Sequence, residues 1–129
     1  FSDCGATAVP VPDGQNGTEP LRANRLSATS IGLSWDTASC TASDYNVLYG
    51  NLSGVAGYAF NGAVCGIGTS GSFTWTGVPS GNLFFLLVGT DGAGTESSWG
   101  KDGAGLERGG GTAPGRCGAT LKDTTATCP

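Results

Sequence analysis

Hydrophobic and polar residues alternate over short stretches along most of this chain, the pattern of β-strands with one buried face. Ile31, Leu33 and Trp35, for example, alternate with Gly32 and Ser34. Turn-forming clusters rich in Gly, Asn and Ser separate these stretches. The pattern predicts strands at 21–26, 31–35, 45–49, 58–60, 73–75, 83–88 and 97–101.

The stretch 83–88 differs from the others because all six of its residues are apolar. Such a run predicts a central strand that is covered on both faces. The chain has 24 glycines and 6 prolines among 129 residues and no helical periodicity. These features together predict an all-β fold, an antiparallel sandwich of about seven strands.

The strand pattern is absent at both ends of the chain. Residues 1–20 contain Ala8-Val9-Pro10-Val11-Pro12, in which the prolines fix φ and remove backbone donors, so an extended arm is predicted. Gly109-Gly110-Gly111 predicts a flexible hinge before a cysteine-bearing tail. The predicted organisation is therefore an arm at 1–20, a sandwich at 21–108 and an irregular tail at 109–129.

Composition excludes several classes of function. A net charge of −4 argues against binding to nucleic-acid phosphates, and no apolar run approaches the roughly 20 residues of a membrane-spanning helix. The absence of His excludes Ser-His and Cys-His catalytic pairs and zinc sites that need imidazole. No carboxylates form a convincing acid–base pair. We therefore expect neither enzymatic activity nor a cofactor, and a small secreted enzyme is the weakest alternative.

Part of the chain resembles a known family. Trp35 ends the second predicted strand, Tyr45-Asn-Val-Leu-Tyr49 forms the third, and Asp91-Gly-Ala-Gly-Thr-Glu-Ser97 follows the apolar strand. Over about residues 20–108 this combination resembles the fibronectin type III domain, of the kind repeated in large secreted bacterial proteins. The resemblance implies an immunoglobulin-like sandwich in which the tryptophan packs against aromatic residues of the third and sixth strands. The tyrosine usual early in the sixth strand is replaced here by Leu83 or Phe84.

The five cysteines are an odd number, so one cannot pair within the chain; they are Cys4, Cys40, Cys65, Cys117 and Cys128. The chain starts at Phe1 and has no methionine, which predicts a mature chain cut from an exported precursor. Export also suits the five cysteines, because disulfides persist in oxidising compartments. The family resemblance implies a Cys40–Cys65 disulfide. Cys117 and Cys128 can close a loop in the tail, which leaves Cys4 for another chain. Alternatively, Cys4 pairs with a tail cysteine within or between chains, or one thiol stays free.

An acidic segment occurs twice, as Asp91-Gly-Ala-Gly-Thr-Glu96 and as Asp102-Gly-Ala-Gly-Leu-Glu107. Asp91, Glu96, Asp102 and Glu107 are weak candidates for a calcium site, since their oxygens suit that ion. The spacing of a known calcium loop is absent, and Asp-Gly is common in turns. Two tight turns are therefore the favoured interpretation.

Two further features can bear on recognition of sugars. Exposed tryptophans stack on glycans, but Trp35 and Trp75 alternate with polar residues and are expected in the core, which leaves Trp99 to be tested for exposure. Asn16 and Asn51 fit the N-glycosylation pattern.

The sequence predicts an extracellular or cell-surface structural protein that associates with copies of itself. An arm that adds to an unpaired edge strand of the next copy makes a head-to-tail contact, which propagates into a filament or matrix when it does not close. Disulfides, with Cys4 as the first candidate, would strengthen the polymer. The alternative is a secreted adhesion or carbohydrate-binding module of a larger protein, with glycans as partners.

Overall fold

The computed structural model describes residues 21–38, 42–113 and 115–124, which form two β-sheets with almost no helix. A three-stranded antiparallel sheet has the order β1-β2-β5, and a five-stranded sheet has the order β4-β3-β6-β7-β8. The strands are β1 (Arg22–Ser27), β2 (Ser30–Ser34), β3 (Asp44–Asn51), β4 (Gly62–Val64), β5 (Ser72–Thr76), β6 (Leu83–Thr90), β7 (Thr95–Ser97) and β8 (Leu121–Asp123). The predicted all-β sandwich is confirmed at this level.

The main core lies between the two sheets. Its aromatic centre joins the sheets directly, because the Trp75 ring on β5 lies 5.2 Å from that of Tyr49 on β3 and 5.7 Å from that of Phe85 on β6. Trp35 follows β2 and packs at 5.3 Å against the ring of Tyr45. Period-2 alternation places these rings on the inner faces, as the sequence pattern predicts.

A second core covers the opposite face of the five-stranded sheet. Leu48 of β3 and Val88 of β6 are fully buried there against Trp99. The β6 strand lies between β3 and β7 and contributes side chains to both cores. The prediction that the apolar strand is central and covered on both faces is therefore confirmed.

Two predicted strands are wrong in detail. A 3-10 helix, Leu52–Gly57, follows β3, and Tyr58 and Phe60 lie between this helix and β4 instead of forming a strand. Their rings pack against Trp99, at 5.7 and 5.1 Å between centroids. Trp99 itself lies beyond the end of β7. Alternating aromatic residues in these segments therefore reflect packing onto the second core, not a strand.

The region predicted as an irregular tail contains the last strand. β8 pairs with β7 in parallel, with Glu96 opposite Lys122, and so extends the five-stranded sheet beyond residue 108. The predicted hinge is packed as well. Gly109 has φ of 72°, and a Cβ built on it would lie 2.3 Å from the Trp99 ring. Glycine is needed there because the backbone passes directly over the indole.

Candidate interaction site at the edge strand β1

The most accessible strand in the described part of the chain is β1. All six of its residues are exposed, and it pairs with β2 along one side only. No strand among residues 21–38, 42–113 and 115–124 pairs with its other side. Leu26, for instance, is 53% exposed. A strand with one open side is a template for pairing with another chain.

A groove of about 570 Å³ opens beneath β1, between the two sheets. Ala23 and Arg25 of β1 line one side. Side chains of the main core form its floor and far wall: Ile31, Trp75, Val78, Leu83 and Phe85. This volume lies in the range of sites that bind small molecules or short peptide segments. The site therefore combines an open backbone edge with an apolar floor.

The loop 78–82 forms the outer rim of the groove, and backbone hydrogen bonds hold it in place. The Val78 N–H donates to the Thr29 carbonyl at 2.9 Å, and the Leu52 N–H donates to the Asn82 carbonyl at 2.9 Å. These bonds tie the rim to the β1–β2 turn on one side and to the 3-10 helix on the other. Leu52, which also lines the groove, is 48% exposed. The groove is thus shaped before anything binds, which lowers the entropic cost of binding.

A second group of interacting side chains lies at the β7–β8 edge of the five-stranded sheet, where the repeated acidic segment folds into two equivalent turns. Asp91 Oδ1 accepts hydrogen bonds from the N–H groups of Ala93 and Thr95, at 2.7 and 3.1 Å. Asp102 Oδ1 accepts from Ala104 at 2.9 Å and Leu106 at 3.0 Å. Backbone donation to the Asp91 carboxylate holds its pKa below the usual range. The turn interpretation of the repeat is confirmed.

The glutamates that end the two repeats converge on Trp99. Its indole N–H donates to the buried Glu96 carboxyl group, and its backbone N–H donates to Glu107 at 2.7 Å. The fully buried side chain of Lys122, on β8, lies 3.1 Å from Glu107 Oε2 and 3.5 Å from the centre of the Trp99 ring. The Lys122 ammonium also donates to the carbonyls of Arg108 and Gly110. We call Glu96, Trp99, Glu107 and Lys122 the β8 clamp, because they hold the last strand in the sheet.

Burial shifts the pKa values of two residues of the clamp, Glu96 and Lys122. Loss of water around Glu96 raises its pKa to about 7, although the indole hydrogen bond and the nearby Lys122 oppose this shift. The second oxygen of Glu96, Oε1, is buried without a hydrogen-bond partner. Burial also lowers the pKa of Lys122, and Glu107 opposes that change. The clamp presents no nucleophile to solvent, so what it can do chemically is bind protons and fix β8.

The four calcium candidates are engaged in local hydrogen bonds and ion pairs. No three acidic, Cys or His side chains within the described ranges are grouped as metal ligands. Asp91 and Asp102 use an oxygen for the turn hydrogen bonds, whereas Glu107 is paired with Lys122 and, at 3.7 Å, with Lys101. The oxygens of these residues serve local structure, and a calcium site stays a prediction of the sequence.

The predicted Cys40–Cys65 disulfide is wrong. Cys65, just after β4, is bonded to Cys117, with 5.5 Å between the Cα atoms and a sequence separation of 52. This bond also rules out the suggested Cys117–Cys128 pair. The physical reason is the return of the tail to the sheet, where the Arg116 guanidinium donates to the Phe60 carbonyl at 2.8 Å. Cys4, Cys40 and Cys128 lie outside the described residues.

The three tryptophans are buried, with Trp35, Trp75 and Trp99 exposed by 6%, 3% and 5%. The core positions expected for Trp35 and Trp75 are confirmed, and Trp99 does not present its ring for stacking on a sugar. Asn51 is exposed at the start of the 3-10 helix, whereas Asn16 lies outside the described residues. No helix in the described ranges is long and apolar enough to cross a membrane.

Sequence reasoning missed the groove beneath β1 and the role of Lys122. The groove depends on how far apart the sheets lie at one edge, for which the sequence carries no local signal. Lys122 stands in a polar, Thr-rich segment that resembles a solvated tail. The one available hint was the acidic repeat, since two similar turns leave Glu96 and Glu107 in equivalent positions.

Comparison of the chain with protein-family models, with curated proteins and with solved structures finds no match.

Proposed function

We propose that this protein is an extracellular structural subunit with a fibronectin type III-like sandwich, which assembles with copies of itself into a fibre, filament or surface matrix. The observation that carries the proposal is the fully exposed edge strand β1 above a preformed apolar groove. An unpaired edge strand of this length promotes unwanted association of a monomer, whereas in a polymer it supplies the contact between copies. The low charge of the chain, 12% of residues, also suits a surface that packs against copies of itself.

Disulfides between copies would strengthen the assembly. With Cys65 and Cys117 joined to each other, three of the five cysteines in this sequence remain, namely Cys4, Cys40 and Cys128. Three thiols cannot all pair within one chain, so at least one is left for a neighbour or stays free. Cys4 remains our first candidate for a bond between copies, since residues 1–20 would have to reach the neighbouring subunit.

Electron microscopy and sedimentation of the purified full chain test the proposal, with the chain lacking residues 1–20 as the comparison. We expect filaments or sheets from the full chain and monomers from the shortened one. Non-reducing gels of the assembled material should show ladders that collapse on reduction and are lost in Cys4→Ser. A full chain that stays monomeric at high concentration, with one free thiol by alkylation, would refute the proposal.

The alternative, an adhesion or carbohydrate-binding module, needs an exposed aromatic ring such as that of Trp99 for stacking on sugars. Because Trp99 is 5% exposed and holds Glu96, it lacks the accessible ring face that stacking on sugars requires. The self-assembly proposal therefore has the stronger structural support.

A further inference from the structure

We propose that the groove beneath β1 is filled by residues 8–12 of a second copy of this chain, which add as a strand to the open side of β1. This inference rests on the proposed self-assembly and names the segment and the surface that would make it.

The backbone pattern of Ala8-Val9-Pro10-Val11-Pro12 suits a strand with a single pairing side. In an extended strand the N–H and C=O groups of alternate residues point to the same side. Val9 and Val11 would therefore direct their donors and acceptors to β1, while Pro10 and Pro12, which have no N–H, would face outward. Proline is tolerated at such outer edges, and its missing donors stop a further strand from adding. A segment of this kind pairs once and then closes the sheet.

In an extended strand the same alternation would place the side chains of Val9 and Val11 on one face. Directed inward, they would meet the apolar floor of the groove at Trp75, Leu83 and Phe85. The β1 strand itself contributes the small Ala23 on this side, so it leaves room between the sheets. Burying two valine side chains stabilises the contact by the hydrophobic effect, and the main-chain bonds fix its direction.

Charge complementarity favours this segment over an unrelated apolar peptide. Residues 1–20 contain three acidic residues, Asp3, Asp13 and Glu19, and no Lys or Arg. The β1 strand carries Arg22 and Arg25, two of the six basic residues of the chain, and Arg25 lines the groove. In a chain of net charge −4, pairing an acidic segment with the basic residues of β1 would add an electrostatic attraction to the contact.

The connecting chain is long enough to reach a neighbour. Residues 13–21 separate the apolar segment from β1, and nine residues extend to about 30 Å. Their Asp13-Gly14 and Asn16-Gly17 pairs would also allow a turn back onto the same chain. The experiment must therefore separate a contact between copies from one within a chain.

Photo-crosslinking of the full chain with p-benzoylphenylalanine in place of Val11 distinguishes a contact between copies from one within a chain. Unlabelled and ¹⁵N-labelled chains are mixed, allowed to assemble and irradiated, and the crosslinked peptides are identified by mass spectrometry. We expect position 11 to crosslink to peptides from 22–31 and 78–85, with adducts of one light and one heavy chain. Adducts confined to chains of one isotope would overturn the second copy as occupant, and adducts to other regions would overturn the groove.

A matched pair of variants gives an independent measure. Val9→Asp/Val11→Asp places charges against the apolar floor, and we expect it to raise the concentration needed for assembly about tenfold or more, which corresponds to about 1.4 kcal/mol. Leu106→Asp is the control, because Leu106 is 64% exposed and does not line the groove. Assembly unaffected by the valine changes would overturn this inference yet leave self-assembly intact. A wild-type chain that never assembles would defeat the proposed function itself.

Discussion

Glu96 is a carboxylic acid enclosed within the folded protein, and its environment determines when it carries charge. Its side chain is fully buried, one oxygen accepts the Trp99 indole N–H, and the other has no hydrogen-bond partner. A protonated carboxyl group avoids the cost of a buried charge, which is why burial raises the pKa to about 7. The neighbouring Lys122 is already satisfied by Glu107 and two carbonyls, so it offsets only part of that cost.

This environment makes stability depend on pH. The folded-state pKa of about 7 lies above the ordinary value of 4.5, so the folded state binds the proton more tightly than the unfolded state. The contribution of protonated Glu96 to stability is therefore fully present below about pH 4.5, and it is lost as the pH rises through about 7. We expect the free energy of unfolding to fall by about 2 kcal/mol between pH 5 and pH 8, and Glu96→Gln to remove this decrease.

Urea denaturation of both proteins at intervals between pH 5 and pH 8, under non-reducing conditions, measures the effect. The comparison is favourable because the chain has no His to titrate in the same range. A wild-type unfolding free energy that stays constant over this interval would show that Glu96 is ionised at its ordinary pKa.

At the scale of elements, the described residues of the connection from β7 to β8 contain no helix or named strand, yet specific contacts fix the connection in place. It carries the second acidic turn, passes over Trp99 at Gly109 and supplies the Arg108 and Gly110 carbonyls to Lys122. A parallel strand pair needs a crossover connection. Here the crossover is made of turns rather than a helix, and the β8 clamp takes the place of helix packing.

The three consecutive glycines allow this constraint to be tested with a matched pair. Gly109→Ala forces a side chain into the Trp99 ring at a positive φ, whereas an added Cβ at Gly111 meets nothing within 4 Å. We expect Gly109→Ala to lower the free energy of unfolding by roughly 2–4 kcal/mol, from backbone strain and overpacking together. Gly111→Ala should change it by less than about 0.5 kcal/mol, as surface substitutions do. Chemical denaturation monitored by tryptophan fluorescence gives both values, and similar behaviour of the two variants would indicate a flexible hinge.

At the scale of the whole molecule, the folded unit extends past residue 108 to include β8. The Cys65–Cys117 disulfide closes a loop of 52 residues, which contributes about 4 kcal/mol in the chain-entropy description. Removal of Lys122 would leave Glu107 partly buried without its main cation, a change that costs about 3–5 kcal/mol for buried pairs. Total stabilities of small domains are about 5–15 kcal/mol, so the tail segment accounts for a large share of the fold's stability.

A pair of shortened chains tests this conclusion. We expect a chain ending at Gly111, with Cys65→Ala to avoid an unpaired thiol, to lose at least about 5 kcal/mol or to fail to fold. A chain ending at Thr124 keeps the disulfide, the β8 clamp and the parallel pair, and should unfold at the temperature of the full chain. Thermal unfolding followed by circular dichroism measures both chains. Equal unfolding midpoints would indicate that the domain ends at residue 108.

The sequence by itself determined the features that depend on neighbours along the chain. Strands β1, β2, β3, β5 and β6 could be predicted because alternation and apolar runs are local, and so could the burial of Trp35 and Trp75. The two acidic turns could also be predicted, since an aspartate and the N–H groups two and four residues later form each loop.

Only the tertiary structure decided the features that join distant residues. Cys65 pairs with Cys117 and Lys122 with Glu107 because the chain returns to the sheet as β8, a step for which three ordinary polar and apolar residues give no signal. The groove beneath β1 likewise depends on the separation of two sheets, not on any one strand. Strand formation follows from the period of side chains along the backbone. Disulfide partners, buried charges and grooves follow from which faces meet, and that is fixed only when the sheets pack.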